Sequence, residues 1–164
     1  MRFDKKYKIQ LTDSTFRRMD EAPDDQFYRI PRFVSHIDPD AIDRVTELYR
    51  EYLSADTAVL DLMSSWLSHL PEELALGRVV GLGMNDREMA RNPQLDQWVV
   101  HDLNREPSLP FIDGEFDAVL ICVSIDYLTN PVAVLRDAGR VLKPDAPLII
   151  TYSNRYFESK ATAA

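Results

Sequence analysis

The chain has 164 residues, of which 45% are hydrophobic and 28% charged, and these values describe one folded domain with a sizeable core. The formal net charge of −8 argues against nucleic acid as a partner, because phosphate binding needs clustered Lys and Arg, and the single cysteine, Cys122, excludes an intrachain disulfide. The sequence shows no Cys/His pattern for zinc, no apolar run of about 18 residues and no signal-peptide core, so we expect no metal, no membrane partner and a cytoplasmic location.

Residues 1–37 are predicted to form an N-terminal arm. Aromatic residues alternate with charged ones here, and Pro23 and Pro31 interrupt any long element, so an irregular segment with one short helix is expected. In the favoured interpretation, the arm packs its aromatic side chains on the rest of the protein. In the other, it is a lid over a pocket, with Tyr28 and Arg32 facing that pocket.

Residues 38–164 are predicted to form one α/β domain. Its first helix begins with Asp38 as the N-cap and Pro39 at the first position, and apolar residues then recur at helical spacing to about residue 53. The predicted strands are 57–62, 78–83, 97–101, 116–123 and 147–152. The helices predicted between them are 67–76, 86–91 and 130–142. This alternation predicts a doubly wound, mainly parallel sheet with right-handed connections.

Polar and small residues stand at the carboxyl ends of the predicted strands. Parallel strands end at the same edge of a sheet, and ligands bind at that edge in open α/β folds. These residues are therefore expected to share one cleft. They are Asp61, Gly83-Met84-Asn85, Asp102, Ser124 and Ser153-Asn154.

The motifs of several common sites are missing from this edge. A dinucleotide site is excluded because residues 61–68 contain no glycine and Asp86 stands at the third glycine position after Gly81-Leu82-Gly83. The phosphate-binding Gly-x-x-x-x-Gly-Lys loop is absent, and Ser64-Ser65 lacks the flanking glycines of a nucleophile elbow. His69 is interpreted as structural rather than as a catalytic base, since no acid partner is identifiable for it.

Several stretches resemble the class I S-adenosylmethionine-dependent methyltransferases. The most specific are Phe-Asp-Ala-Val at 116–119 and the helix ending in Arg-Val-Leu-Lys-Pro at 140–144. Further similar stretches are Val59–Leu62, Val79–Gly81 and Asp102-Leu103. The likeness spans roughly residues 38–155 and implies a Rossmann-like methyltransferase fold. Parts of the arm, with 61–66 and 153–155, are similar to a methyltransferase type 11-like branch with a degenerate glycine loop.

The resemblance implies S-adenosyl-L-methionine as the cofactor and a small molecule as the methyl acceptor. By position, Asp61 orients the loop under the methionine moiety, Asp102 meets the adenine amino group, and Ser124 faces the sulfonium. The implied cofactor-binding residues are Asp61, Met63, Ser64, Ser65, Gly83, Met84, Asn85, Asp102, Leu103, Val123 and Ser124. No catalytic residue is assigned, because methyl transfer mainly needs alignment and exclusion of water.

Two departures from the family pattern leave an alternative open. Met63 and Ser65 replace glycines that let the backbone approach the cofactor, and Trp66 follows them. Gly83 replaces the acid that holds the ribose hydroxyls, with Asn85 as the nearest substitute. The alternative is a catalytically inactive binding or interaction module. An indole that fills the cleft would favour that alternative, and one that points away would favour binding.

The predicted domain 38–164 is expected to be C-terminally incomplete. Related proteins continue past the fifth strand with a helix and a hairpin, whereas this sequence ends at Ala164. The fifth strand, with Ile149 and Ile150, is therefore expected to be an exposed edge that a partner, a second copy or the arm covers. Residues 160–164 are predicted to begin a helix.

Overall fold

A computed structural model describes residues 14–162 of the chain, so the first part of the predicted arm lies outside the described residues. The strands are β1 (Ala58–Leu62), β2 (Arg78–Gly83), β3 (Gln97–Val100), β4 (Ala118–Cys122) and β5 (Leu148–Thr151). The helices are α1 (Asp24–Tyr28), α2 (Pro39–Tyr52), α3 (Asp86–Met89) and α4 (Pro131–Val141), with a 3₁₀ turn at Ile125–Tyr127. None of the helices in this part of the chain is long and apolar enough to cross a bilayer.

The five strands form one parallel sheet in the order β3-β2-β1-β4-β5. The chain starts at the centre of the sheet, runs outward to β3, and returns to β4 on the other side of β1. The order therefore reverses between β1 and β4, which is where open α/β sheets bind ligands. The predicted doubly wound α/β fold is confirmed within the described residues.

Both faces of the sheet are covered by helices. On one face α2 buries Val45 and Tyr49 against strand residues, and on the other α4 buries Val134 and Ala138. The strand residues on the α2 face are Val59, Val79, Ala118, Leu120 and Ile149. Those on the α4 face are Leu60, Leu62, Val80, Leu82, Val119 and Ile121. Burial on both faces explains why the central strands read as continuous apolar runs.

The two long helices begin at the predicted caps. The Asp38 carboxylate accepts a hydrogen bond from the Ala41 amide at 2.9 Å, and Asn130 does the same for the Ala133 amide at 3.2 Å. These bonds satisfy amide donors that the first turn of a helix leaves free. Together with the apolar stripes, the caps fix where α2 and α4 begin.

The helix predicted for 67–76 is wrong, because this segment is irregular. Pro71 has no amide hydrogen to continue a helix. The side chain of Gln94 also takes both backbone groups of Leu70, accepting from its N–H at 3.2 Å and donating to its carbonyl at 2.8 Å. A long-range side-chain contact therefore replaces the local helical bonds.

The end of the described chain packs back on the arm. Thr162 forms an antiparallel bridge with Arg18, and the Asp20 amide donates to the Ser159 carbonyl at 2.8 Å. Residues 158–160 form a turn and Thr162 pairs in the bridge, so residues 160–162 do not begin the predicted helix, and 163–164 lie outside the described residues. β5 is an edge of the sheet, and its coverage by a partner or second copy stays a prediction.

Candidate functional site

A cleft of about 360 Å³ opens at the carboxyl ends of the strands. The strand ends form its floor, and the arm and residues 155–157 form the opposite wall. The floor brings together every residue that the resemblance implied: Asp61, Met63, Ser64, Ser65, Gly83, Met84, Asn85, Asp102, Leu103, Val123 and Ser124. Each of these residues lies at or just beyond the end of a parallel strand. Ser153 and Asn154, expected in the cleft on the same ground, follow the edge strand β5 and do not line the cleft.

Asp61 fixes the loop that follows β1. Its Oδ2 accepts hydrogen bonds from the hydroxyls of Ser64 and Ser68, both at 2.6 Å. Burial raises the pKa of this carboxyl to about 6, and the two serine hydrogen bonds oppose that rise without cancelling it. Asp61 therefore shapes the loop through its serines.

The loop after β1 has no glycine, but it packs closely against a glycine of β2. Met63 takes the left-handed conformation at φ 63°, although it is not glycine. The carbonyl oxygen of Ser64 lies directly over Gly83, where a Cβ atom would clash with it. No acidic side chain fits at position 83 while the loop lies there, which explains why the strand-end acid of the family pattern is absent.

The end of β4 carries two further unusual features. Val123 has φ 43°, a strained backbone conformation for a β-branched residue. The hydroxyl of Ser124 is buried and has no hydrogen-bond partner in residues 14–162. Strain and an unpaired buried polar group are typical of a site that a ligand completes.

Asn85 has a structural task in the cleft wall. Its side-chain oxygen accepts from the amides of Arg87 at 3.0 Å and Glu88 at 3.1 Å, which caps α3. Its Nδ2 donates to the Tyr28 carbonyl at 2.7 Å and so holds the arm. Because both ends of the amide are engaged, Asn85 is a poor substitute for the missing ribose acid.

Sequence reasoning missed Glu88. This carboxylate is buried to 9% exposure and lines the cleft, where it accepts from the Arg32 amide at 2.6 Å and the Ser65 hydroxyl at 2.7 Å. The spacing Asn85-x-x-Glu88 was the available signal, since a Glu three residues after an N-cap usually bonds back to that cap. Here the side chain reaches across to the arm and the loop.

The residues after β3 form a turn beside the cleft. Asp102 accepts through Oδ1 from the amides of Asn104 at 3.0 Å and Arg105 at 3.2 Å. These bonds use one oxygen and leave Oδ2 for a ligand. Leu103 is buried and adds an apolar surface beside it.

Trp66 does not fill the cleft. Its indole N–H donates to the Val34 carbonyl at 3.1 Å, and its ring meets Phe33 edge to face at 6.0 Å. The ring is absent from the cleft lining. By the criterion set from the sequence, this placement favours binding over a closed site.

The arm both packs and faces the cleft. Phe27 meets the ring of Phe157 at 5.4 Å, while Tyr28 and Arg32 line the cleft. The guanidinium of Arg32 lies 4.3 Å from the centre of the Phe27 ring, and Nη2 donates to the Phe27 carbonyl at 3.0 Å. Burial raises the pKa of Tyr28. Movement of the arm as a lid stays a prediction.

All three histidines line the cleft, in different states. His101 Nε2 contacts the Glu106 carbonyl at 2.7 Å. The rings of His36 and His69 have no hydrogen-bond partner within residues 14–162. Burial lowers the pKa of both, and the charge of His36 lowers that of His69 further. Both imidazoles are therefore neutral at pH 7.

The same described residues contain no group of three or more His, Cys, Asp or Glu side chains arranged to hold a metal ion.

Solved structures share this fold. The cyclase SpnF is 25% identical over 67% of this chain, with a TM-score of 0.56. An S-adenosylmethionine-dependent methyltransferase from Aquifex aeolicus is 18% identical over 77% of the chain, and 79% of that protein is covered, with a TM-score of 0.53. One from Mesorhizobium loti is 17% identical over 68% of the chain, also with a TM-score of 0.53. The chain spans 44% of SpnF and 55% of the M. loti protein.

No curated protein matches the chain. The family model described as a methyltransferase domain, of type 11, matches residues 62–150. That segment contains most of the cleft floor, from the loop after β1 to the end of β4. The chain therefore belongs to the methyltransferase domain family, and its fold is that of S-adenosylmethionine-dependent methyltransferases.

Proposed function

We propose that this protein binds S-adenosyl-L-methionine in the cleft and transfers its methyl group to a small molecule. The observation that carries the proposal is the convergence of the implied residues around one open cavity of about 360 Å³. Cavities of this size hold small ligands with most of their surface buried. When bound, S-adenosylmethionine supplies a methyl group on a positively charged sulfur.

The residues of the floor fit such a ligand, provided that Glu88 takes the place of the usual ribose-binding acid at position 83. Asp102 Oδ2 and Leu103 suit the adenine ring, and the loop held by Asp61 suits the methionine end. The unpaired Ser124 hydroxyl provides a polar contact near the reacting atoms. We assign the ribose hydroxyls to Glu88, because its carboxylate lines the cleft and a side chain is excluded at Gly83. Each of its oxygens accepts one bond, from Arg32 or Ser65, and keeps a second lone pair for a ribose hydroxyl.

The protein contributes mainly the orientation of the reactants and the exclusion of water to such a reaction. In-line methyl transfer requires the acceptor and the methyl carbon to be held in contact and water to be kept out. The arm is proposed to act as the lid that provides this exclusion, with Tyr28 and Arg32 on its inner side.

Calorimetry with S-adenosylmethionine and S-adenosylhomocysteine tests the cofactor assignment. Both are expected to bind, and Asp102→Ala is expected to weaken binding about ten-fold, the loss of roughly one good hydrogen bond. Asp43→Ala, an exposed change on α2 outside the cleft, is the control and should leave the affinity unchanged. No heat at millimolar ligand would overturn the proposal.

A second candidate is a non-catalytic binding module that keeps the fold. The specific observation in its favour is the Ser64 carbonyl over Gly83, which removes the usual strand-end acid. Labelled S-adenosylmethionine incubated with a small-molecule cell extract separates the two functions. A labelled product supports the enzyme, whereas binding without any labelled product supports the module.

A further inference from the structure

The wall opposite the strand ends has a chemistry of its own. Within the part of the chain that the structure describes, it combines a cation without an acidic partner, aromatic surfaces and two imidazoles without hydrogen-bond partners. Its members are Tyr28, Arg32, His36, His69, Tyr156 and Phe157. None of them lies at a strand end, so they are available to a second ligand beside the cofactor.

Arg32 carries the charge that has no acidic partner. Its guanidinium donates only to backbone carbonyls, those of Phe27 at 3.0 Å and Ile30 at 3.4 Å, and it forms no ion pair within residues 14–162. Arg155, also in the lining, is by contrast paired with Asp38 at 3.3 Å. An unpaired guanidinium held against aromatic rings is prepared to bind a carboxylate in a bidentate manner.

Aromatic side chains flank this guanidinium. It lies 5.2 Å from the centre of the Phe157 ring and 6.0 Å from that of Tyr28. Tyr156 adds a ring that is 54% exposed and also lines the cleft. Such surfaces favour a planar, aromatic ligand.

The two imidazoles supply a place for a proton. His36 lies in the arm and His69 in the segment after the β1 loop, and both face the same cleft. The charged groups around His36 are Glu88, which raises its pKa, and Arg32, which lowers it. The group that acts on His69 is His36, and burial is the largest influence on both.

We propose, on the basis of the function proposed above, that the acceptor is a small aromatic carboxylate that carries a hydroxyl group. Arg32 binds its carboxylate, the rings of Tyr28, Tyr156 and Phe157 hold its plane, and the His36–His69 pair receives the hydroxyl proton. S-adenosylmethionine would take up most of a cavity of about 360 Å³, so the acceptor has to be small.

The proposed step is a displacement at the methyl carbon. A lone pair on the acceptor hydroxyl oxygen forms the new bond to the methyl carbon. The electron pair of the broken carbon–sulfur bond stays on sulfur, which leaves as the neutral thioether of S-adenosylhomocysteine. The hydroxyl proton passes to an imidazole nitrogen and from there to solvent, so the product is the aryl methyl ether.

The test begins with binding. The 2-, 3- and 4-hydroxybenzoates, and the matching hydroxybenzamides that lack the negative charge, are titrated into the complex with S-adenosylhomocysteine. At least one hydroxybenzoate is expected to bind ten-fold or more tightly than its amide, and to be methylated on oxygen when S-adenosylmethionine is supplied. If S-adenosylhomocysteine binds but no hydroxybenzoate does, this proposal fails and the proposed function stands. If S-adenosylhomocysteine does not bind, both fail.

Variants of Arg32 test its role in binding the carboxylate. Arg32→Gln should remove the preference for acid over amide and keep the affinity for S-adenosylhomocysteine, while Arg32→Lys should restore part of the preference. Arg29→Gln, an exposed change in the same segment, is the matched control. A preference that survives Arg32→Gln contradicts the assignment.

The proton role has a separate readout in the pH profile. His69→Gln should lower kcat at least ten-fold with little change in KM. In the wild type, the rate should fall as the pH drops below the lowered pKa of the histidine pair, because a protonated imidazole accepts no proton. A low-pH limb that is unchanged in both His36→Gln and His69→Gln would contradict the role.

Discussion

The cleft has a floor and a roof that are built differently. The floor is the sheet edge with the loop after β1, and backbone hydrogen bonds, apolar packing and the Ser64–Gly83 contact hold it. The roof is made of residues 14–37 and 155–162, and buried charges and ring contacts hold it. The floor is part of the sheet core, whereas the roof can separate without unpairing a strand. We therefore expect the floor, where the cofactor is proposed to bind, to stay rigid, and the roof, where the acceptor is proposed to bind, to open more readily.

The roof is held by a cluster of buried charges around Lys160, and Arg18 belongs to this cluster through its pair with Asp24 at 2.8 Å. Lys160 Nζ donates to the Ala22 carbonyl at 2.6 Å and lies 3.1 Å from Asp20 and 3.3 Å from Asp24. Burial raises the pKa of Asp24, but hydrogen bonds from Asn104 and Arg18 outweigh it and leave that pKa below its ordinary value. The Asp24 carboxylate therefore stays charged at neutral pH, and the cluster ties the arm to the end of the described chain.

Removing the Lys160 cation is expected to have the largest effect. Lys160→Met removes the donor that Asp20, Asp24 and the Ala22 carbonyl share. Because Asp24 keeps its bonds from Arg18 and Asn104, we expect a loss of about 3 kcal/mol, the low end of the range for a broken buried ion pair. Urea denaturation should show the loss, and protease cleavage within residues 14–37 should become faster. Lys143→Met, which breaks the partly exposed pair with Asp117, is the control and should cost less than about 1 kcal/mol. Equal costs for the two variants would show that the roof is not held by this cluster.

The sequence predicted most of the floor, whereas for the roof it offered only a less favoured alternative in which Tyr28 and Arg32 face the pocket. The strand of Arg78–Gly83 and the caps Asp38 and Asn130 were predictable because a short run of residues decides each of them. Glu88 was not, since its partners in the arm and the loop are distant in sequence.

The segment 67–76 and Lys160 show the same limit. In the segment 67–76, the Gln94 side chain binds the backbone and overrides a local helical tendency. Lys160, a residue type that favours helices, is instead fully buried outside a helix. Lysine is rarely buried, so no local pattern predicts such a position. What the sequence leaves undetermined here are contacts between side chains that the fold brings together.

The raised pKa of Asp61, on the floor, predicts how the stability of the protein depends on pH. Its folded-state pKa of about 6 lies above the ordinary value of 3.8, so the folded protein holds this proton more tightly than the unfolded chain. The resulting stability is complete below the unfolded pKa and is lost as the pH rises through about 6. Between pH 4 and 7 the stability of the wild type should therefore fall relative to Asp61→Asn by up to about 3 kcal/mol. Chemical denaturation of both proteins across this range measures the difference, and a constant difference would show that Asp61 does not titrate there.

A smaller effect is expected where the loop lies over β2. In Gly83→Ala the new methyl group meets the Ser64 carbonyl, which belongs to the backbone and moves only with the whole loop. Such overpacking costs about 1–3 kcal/mol and should also weaken S-adenosylhomocysteine binding, because the loop forms the floor.

Gly139→Ala is the control for this change. Position 139 lies inside α4 with open space around it, so alanine there should stabilise the protein by about 0.5–1 kcal/mol. The two substitutions are chemically identical and should have opposite signs in urea denaturation. A neutral Gly83→Ala would mean that the loop does not depend on this approach.

The smallest effect on stability is expected for a change at Glu88, where floor and roof meet. Glu88→Gln keeps an oxygen for the Arg32 amide, so stability should change little, while affinity for S-adenosylhomocysteine should fall about ten-fold with the loss of a charged acceptor. Calorimetry with the 2′,3′-dideoxy analogue supplies the control, because a ligand without ribose hydroxyls has no such bond to lose. The wild type and the variant should then bind the analogue equally. A ten-fold loss that persists with the analogue would mean that Glu88 acts by holding Ser65 and the arm in place, and the ribose assignment would be wrong.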